Sequence, residues 1–164
     1  MAEMKEFVQE PLRQRHCADL AKHLSVADMR ELMASGEWDP TCMTIGDLLS
    51  RAVQAEGFTH YAIRNKRSGC VYAVGGYGSD GLCWFLTSKL VAGFTKEERW
   101  SFRMMLRRNL LETLEVHPIL FNVVWNENED HRRLIQSMGA RIGSTDGKFT
   151  SFAFHREDFS EFQH

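Results

Sequence analysis

Residues 75–88 read GGYGSDGLCWFLTS, and this stretch decides between two folds. Its glycines match the G-x-G-x-x-G spacing of a dinucleotide-binding loop, which requires a strand before it and a helix after it. The β-branched and apolar run Cys70 to Val74 predicts the strand. The residues after Gly81 are apolar and aromatic, which is typical of a second strand and not of a helix. Asp80-Gly81 also favours a tight turn. We therefore predict a β-hairpin.

The composition restricts the class of protein. A chain of 164 residues is the size of one domain, and we expect a single domain over residues 1–164. With 20 Lys and Arg against 22 Asp and Glu, the net charge of -2 argues against a nucleic-acid partner. The four cysteines lack metal-ligand spacing, so we expect reduced thiols and no metal site. Neither a membrane segment nor a signal-peptide core is evident, which predicts a soluble cytoplasmic protein.

The periodicity of apolar residues predicts a mixed α/β order of elements. Thr95 and Glu98 form a capping box that starts a long helix, and Pro118 ends it near Val116. The continuous apolar run Ile119 to Trp125 predicts a strand buried on both faces. The remaining predicted elements are a strand at Phe7-Val8, helices at Cys17 to Leu24, Val26 to Met33, Ile45 to Ala55 and Glu129 to Met138, and strands at Thr59 to Ile63, Cys70 to Val74, Leu82 to Thr87 and Lys148 to Phe154.

This order of elements resembles the GNAT N-acetyltransferase superfamily. Members commonly carry the pattern Asn-x-x-Ala-x-x-Leu-Tyr-x-x-x-Gly-Phe, and Asn128, Leu134 and Gly139 fall in register with it. The resemblance implies an acyl-CoA N-acyltransferase fold, with a central, mostly antiparallel sheet flanked by helices. It also implies that two neighbouring strands diverge, leaving a gap that holds the thioester of acetyl-CoA.

A closer resemblance is to the small internal virion proteins of T7-like tailed phages, and it covers roughly Tyr61 to Phe154. The segments that carry it are GGYGSDGLCWFLTS, VVWNENEDHRRLIQSMGA and DGKFTSFAF. This resemblance implies phage virion or assembly proteins as partners. It implies the host cytoplasm during infection as the location, with the virion interior as an alternative.

The superfamily resemblance implies a set of site residues. The gap would lie between Phe85-Leu86-Thr87 and Val123-Val124-Trp125, where free backbone groups would hold pantetheine. The pyrophosphate would bind at the start of the long helix, at Gly93, Thr95 and Arg99. Ser88, Asn128 and His131 are the candidates for proton transfer. For His131 the alternatives are a general base and a solvated helix residue, and the flanking polar residues favour the second.

The sequence departs from the enzyme pattern where the chemistry occurs. The phosphate-binding segment usually carries Arg/Gln-x-x-Gly-x-Gly/Ala, but residues 88–96 read SKLVAGFTK, with one glycine. The position of the usual proton-donating tyrosine is Ile135, which has no proton to give. Two functions stay open: a virion-associated or assembly protein with degenerate cofactor motifs, or an active N-acetyltransferase that uses acetyl-CoA to modify an amine of a host or phage target.

Overall fold

A computed structural model describes residues 6–163. Five α-helices and seven β-strands lie within these residues. In chain order they are β1 (Phe7–Pro11), α1 (Gln14–Ala21), α2 (Val26–Ala34), α3 (Ile45–Gln54), β2 (Phe58–Asn65), β3 (Val71–Gly78), β4 (Cys83–Thr87), α4 (Lys96–Val116), β5 (Ile119–Trp125), α5 (Glu129–Ser137), β6 (Arg141–Asp146) and β7 (Phe149–His155).

The strands form two antiparallel sheets that meet at one point. The first sheet has the order β1-β2-β3-β4, and the second has the order β5-β7-β6. Strands β4 and β5 are the inner edges, and one parallel bridge, Leu82 to Phe121, joins them. Beyond this bridge they belong to different sheets. The divergence expected from the superfamily resemblance is therefore present.

The hairpin that joins β3 and β4 confirms that the glycine-rich stretch is a turn. Gly78 N donates to Leu82 O at 2.8 Å, so the loop has three residues. Gly81 occupies the left-handed region, with φ of 93°, as three-residue hairpins require at their last position. Asp80 does not share this conformation, because no residue other than glycine has a positive φ within residues 6–163. The predicted tight turn at Asp80-Gly81 is therefore present, and of these two residues only Gly81 adopts the positive φ.

Helices cover both faces of the first sheet. Leu20 of α1, Leu32 of α2 and Leu49 of α3 are buried against the same core as Val74 and Leu86. On the opposite face, α4 packs through its apolar stripe, and α4 and α5 together cover the second sheet. The residues of α4 in these two clusters are Phe102, Met105, Leu106, Leu110 and Leu114.

Two predictions about the second sheet need correction. Strand β5 is buried on one face only, since Ile119, Phe121 and Val123 are 46%, 40% and 49% exposed. The helices α1 to α3 cover the first sheet and leave this face of the second sheet open. Strand β6 was not predicted, because all six of its residues are exposed and no apolar alternation marks it. The other predicted elements are present, with ends shifted by a few residues.

Candidate functional site in the wedge between the sheets

The wedge is the space between the diverging edges of β4 and β5. In an antiparallel pair, alternate residues direct their backbone groups to the neighbouring strand or away from it. Ser88 N bonds Tyr72 O and Gly78 N bonds Leu82 O, so the backbone groups of Cys83, Phe85 and Thr87 face the wedge. By the same alternation, Phe121, Val123 and Trp125 face it from β5. These six residues present their backbone groups to the wedge, where a ligand could bond only those that the chain's own groups leave unpaired.

The side chain of Asn122 crosses the narrow end of the wedge. Its Nδ2 donates to the Cys83 carbonyl oxygen at 2.5 Å. Its Oδ1 accepts the backbone N–H of Val123 at 2.7 Å. One amide side chain therefore satisfies a backbone acceptor on β4 and a backbone donor on β5. It joins the two strands where they no longer pair directly.

Two carboxylates of α2 close the wide end of the wedge. Asp28 Oδ2 accepts the backbone N–H and the hydroxyl of Thr87, at 2.8 and 3.1 Å. Glu31 Oε1 accepts the Trp125 backbone N–H at 2.8 Å. The Thr87 carbonyl accepts Ser25 N at 3.0 Å. We call Asp28 and Glu31 the α2 latch, because together they bind the ends of both inner strands.

Local sequence explains why α2 presents these carboxylates. Ser25 is the N-cap of α2, and its Oγ accepts the backbone N–H of Asp28 at 3.1 Å. Asp28 and Glu31 are three residues apart and so lie on one helical face. Asp28 is only 4% exposed, and its second oxygen accepts Asn128 Nδ2 at 3.0 Å. Both oxygens of this buried carboxylate therefore accept hydrogen bonds, three in total, and these bonds offset the cost of removing the charge from water.

His131 lies beside the latch and not in solvent. Its side chain is 12% exposed, and its ring lies between Phe85 and Phe152. The prediction of a solvated helix residue is therefore wrong, since α5 turns this position towards the wedge. Burial lowers the pKa of His131, but the carboxylate of Glu31, with Nδ1 to Oε2 at 3.6 Å, and that of Asp28 together raise it above its usual value.

A cavity of about 570 Å³ runs through the wedge. Its walls are mainly apolar and include Phe85, Leu86 and Ile135, and Tyr61 and Cys83 line it as well. Burial raises the pKa of the Tyr61 phenol and raises the pKa of the Cys83 thiol to about 12. Both groups therefore keep their protons near neutral pH, so neither is a ready nucleophile.

The structure brings together only some of the residues predicted for the site. Thr87, Asn128 and His131 lie around the α2 latch, and Phe85 and Leu86 line the cavity. Ser88 is buried, but its Oγ is used to accept Leu90 N at 3.0 Å, which caps the turn Lys89–Gly93.

The predicted phosphate-binding residues lie at the start of α4, and each is either hydrogen-bonded in the helix cap or exposed to solvent. Gly93 and Arg99 are exposed. Thr95 Oγ1 accepts Glu98 N at 3.1 Å, and Thr95 N donates to Glu98 Oε1 at 3.0 Å. The capping box thus places a carboxylate where an anion would bind. The three residues do not contribute to the wedge itself.

Sequence reasoning missed Asp28, Glu31 and the role of Asn122. Asn122 left a signal, because it is the one polar residue in an apolar strand. Nothing in the sequence indicates the role of the α2 carboxylates, because Asp28 is 59 residues from Thr87 and 100 residues from Asn128 along the chain. Acidic residues near a helix start are ordinary, and only the packing of α2 shows what these two bind.

The raised pKa of His131 predicts a specific pH dependence. We expect its imidazole to titrate above 6.5 in an NMR pH titration of the wild type. In Glu31→Gln the ring loses this carboxylate while burial and Asp28 remain, so the pKa should fall relative to the wild type. Glu31→Gln is the informative variant because its amide oxygen can still accept the Trp125 N–H.

The interaction of His131 with Glu31 also makes the free energy of unfolding depend on pH, in a direction that follows from the raised pKa. Because folding raises the pKa of His131, its contribution is fully present below the unfolded value near 6.5 and is lost as pH rises through the folded value. The pH dependence of unfolding in this window should decrease in His131→Gln. A wild-type midpoint at or below 6.5 would contradict the role given to Glu31.

Residues 6–163 contain neither a metal-binding cluster nor a membrane-spanning helix. No group of three or more His, Cys, Asp or Glu side chains there is arranged to hold a metal ion. In the same part of the chain, no helix combines the length and apolar character needed to cross a bilayer.

Solved structures with the same architecture identify the fold. A GCN5-related N-acetyltransferase from Brucella melitensis superposes with a TM-score of 0.66 at 16% identity, over 94% of this chain and 77% of that one. The ribosomal-protein-S5-alanine acetyltransferase from Vibrio fischeri gives 0.63 at 8% identity, over 94% and 96%. The fold is that of the GNAT acyl-CoA N-acyltransferases.

Sequence comparison then gives the family. The model of the bacteriophage T7 family "probable scaffold protein Gp13" matches residues 62–145, and this chain belongs to that family. The probable scaffold protein gp13 of Escherichia phage T7 is 32% identical over 83 residues. That match spans 49% of this chain and 59% of the phage T7 protein. The family and the fold both agree with the resemblances drawn from the sequence.

Proposed function

We propose that this chain is a virion-associated or assembly protein of a phage that uses a GNAT fold without binding acetyl-CoA. The observation that carries the proposal is that the chain's own side chains bond the wedge-facing backbone groups at both ends of the wedge. Asn122 bonds Cys83 and Val123, and the α2 latch bonds Thr87 and Trp125. A pantetheine arm would have to displace these groups and leave buried carboxylates unpaired, which is costly.

The start of α4 supports the same proposal. Pyrophosphate binds at helix N-termini because free N–H groups and the helix dipole attract it. Here Glu97 and Glu98 occupy the first turn, and Glu98 closes the capping box with Thr95. Two carboxylates at this position would repel a diphosphate. The scaffold family supplies the biological setting, in which the fold presents surfaces to other phage proteins.

The second candidate function is an active N-acetyltransferase. The favouring observations are the cavity through the wedge and the backbone groups of Phe85, which face it without a hydrogen-bond partner within residues 6–163. Tyr61 lines the cavity and keeps its proton, as a general acid for a departing thiolate must. In this mechanism an acceptor amine attacks the thioester, with Tyr61 in the role that Ile135 cannot fill.

Thermal unfolding with and without acetyl-CoA distinguishes the two functions. A ligand at 100 times its dissociation constant stabilises by about 2.7 kcal/mol, which is a Tm increase of roughly 5–10 °C for a chain of this size. We expect no measurable shift at millimolar acetyl-CoA. A shift of several degrees would support the enzyme, and acetyl transfer lost in Tyr61→Phe would then establish the second candidate. An acetyltransferase with the intact glycine-rich loop serves as the positive control.

The assembly function has its own test in the phage. Particles produced without this protein should be defective in assembly or infectivity, and supplying the chain in trans should restore them. A Tyr61→Phe variant provides the control for the acetyl-transfer candidate, because it removes one hydroxyl from the cavity without changing the outer surface, and its particles should be normal. Normal infectivity of particles that lack the protein would contradict the proposal.

A further inference from the structure

Strand β6 is an edge strand with an unusual pattern of free backbone groups. Arg156 N bonds Pro118 O and Asn126 N bonds Lys148 O, so the even-numbered residues of β7 face β5 and the odd-numbered residues face β6. Arg141 pairs with Ala153, and Asp146 pairs with Phe149. The backbone N–H and C=O groups of these two residues therefore point towards β7. We call this direction inward. The backbone groups of their neighbours Ile142 and Thr145 point away from β7, which we call outward.

A β-bulge creates this pattern. The register shifts between Ile142 and Thr145, which places one extra residue on β6. In a regular strand, outward-facing residues are separated by an even number of positions. Here Ile142 and Thr145 are three apart and both direct their N–H and C=O groups to solvent. Bulges usually protect an edge from pairing, but this one leaves two residues on the edge with outward-directed backbone groups.

We propose that β6 pairs with β6 of a second copy of this chain, antiparallel, about a two-fold axis between Gly143 and Ser144. In this register Ile142 faces Thr145 of the second copy, and Thr145 faces Ile142. In an antiparallel pair related by a two-fold axis, two residues that lie opposite each other must both have outward backbone groups or both have inward ones. The bulge meets this requirement for a register centred between two residues, which a regular strand cannot adopt.

The charges at the two ends of β6 are complementary in the same register. Arg141 would face Asp146 of the second copy, and Asp146 would face Arg141. Arg141 binds Asp158 and Glu157 through Nε and Nη2, and its Nη1 has no partner within the part of the chain that the structure describes. Nη1 is thus available to a further carboxylate. Lys148 of one copy would approach Glu157 and Asp158, the two carboxylates that bind Arg141 in the other copy.

The surface of β6 allows this approach. All six of its residues, Arg141–Asp146, are exposed, and none is proline or lysine, the usual protections of an edge. The joined sheets would run continuously from β5 of one copy to β5 of the other. The exposed apolar residues Phe121 and Val123 of β5 would lie at the outer ends of the joined sheet, away from the joint. A second copy therefore fits both the hydrogen bonds and the charges of the edge.

Analytical ultracentrifugation of the full chain between about 1 and 500 μM tests the proposal. We expect a concentration-dependent dimer. Ile142→Pro removes the outward N–H and leaves the bonds to β7 intact, so it should weaken the dimer at least about tenfold. Asp146→Lys places like charges opposite each other and should weaken it by a similar factor. Two control variants should stay dimeric. Ile142→Thr keeps the backbone N–H, and Asp130→Lys changes the charge at an exposed position of α5 that is not on β6.

Amide hydrogen exchange of the wild type gives a test that needs no variant. The amides of Ile142 and Thr145 should be protected at high concentration and exchange freely at low concentration. Those of Arg141 and Asp146 should be protected at both. A monomer over the whole concentration range would overturn the proposal. So would a dimer that survives both Ile142→Pro and Asp146→Lys, or one without protection at Ile142 and Thr145.

Discussion

Asp28→Ala is expected to lower the free energy of unfolding by about 3 kcal/mol, equivalent to roughly 6–12 °C in Tm. The carboxylate is 4% exposed and accepts the backbone N–H and hydroxyl of Thr87 and the amide of Asn128. Alanine leaves these three donors without acceptors in a buried site. Because these donors lie on β4 and at the start of α5, the loss should also loosen the contact of α2 with the wedge. Thermal and urea denaturation measure the effect.

Asp47→Ala is the matched control. Asp47 occupies in α3 the same helical position that Asp28 occupies in α2, and the N-cap Thr44 binds its backbone N–H as Ser25 binds that of Asp28. Asp47 is exposed, so its replacement should cost only the helix-dipole contribution, about 0.5 kcal/mol. Similar losses in the two variants would show that Asp28 acts through its own helix and not as a latch.

Gly81→Ala is expected to destabilise the fold by about 3 kcal/mol as well. Gly81 has φ of 93°, where an L-residue costs roughly 1–2 kcal/mol. A Cβ at this position would lie 2.5 Å from the carbonyl oxygen of Ile119, so the backbone itself would have to move. The Gly81 carbonyl also accepts Phe121 N at 3.0 Å. The substitution therefore strains the point where the two sheets meet.

Gly147→Ala separates conformational strain from steric contact. Gly147 also lies in a hairpin with a positive φ, of 61°, but a Cβ there would have no atom within 4 Å. Its replacement should cost only about 1 kcal/mol. Equal Tm losses in the two variants would mean that the contact with Ile119 is unimportant. Urea denaturation midpoints give the comparison directly.

Features set by neighbouring residues could be predicted. The capping box of Thr95 and Glu98 starts α4, and Pro118 follows its end at Val116, as the sequence indicates. The hairpin is predictable because apolar runs flank a glycine-rich turn, and its three-residue loop contains Asp80 and Gly81. These features depend on residues within a few positions of one another, so propensity and periodicity are sufficient.

The closure of the candidate site could not be predicted. Asn122 attracts attention as a polar residue in an apolar strand, but nothing near it indicates that it bonds Cys83, which is 39 residues away. His131 has polar neighbours in sequence, yet Glu31 and two phenylalanine rings surround it. In both cases the partners come from other elements, and their proximity exists only after the sheets and α2 have packed.

The amino-acid sequence by itself determined the order of the elements, the turn at the glycines and the resemblance to the acyltransferase fold, because each follows from local patterns. Tertiary structure alone decided that α2 places two carboxylates at the wide end of the wedge, that one face of β5 stays exposed and that a bulge redirects the edge of β6. Those outcomes depend on which elements pack together, and a carboxylate or a strand has the same local sequence whether it meets water, a backbone amide or another chain.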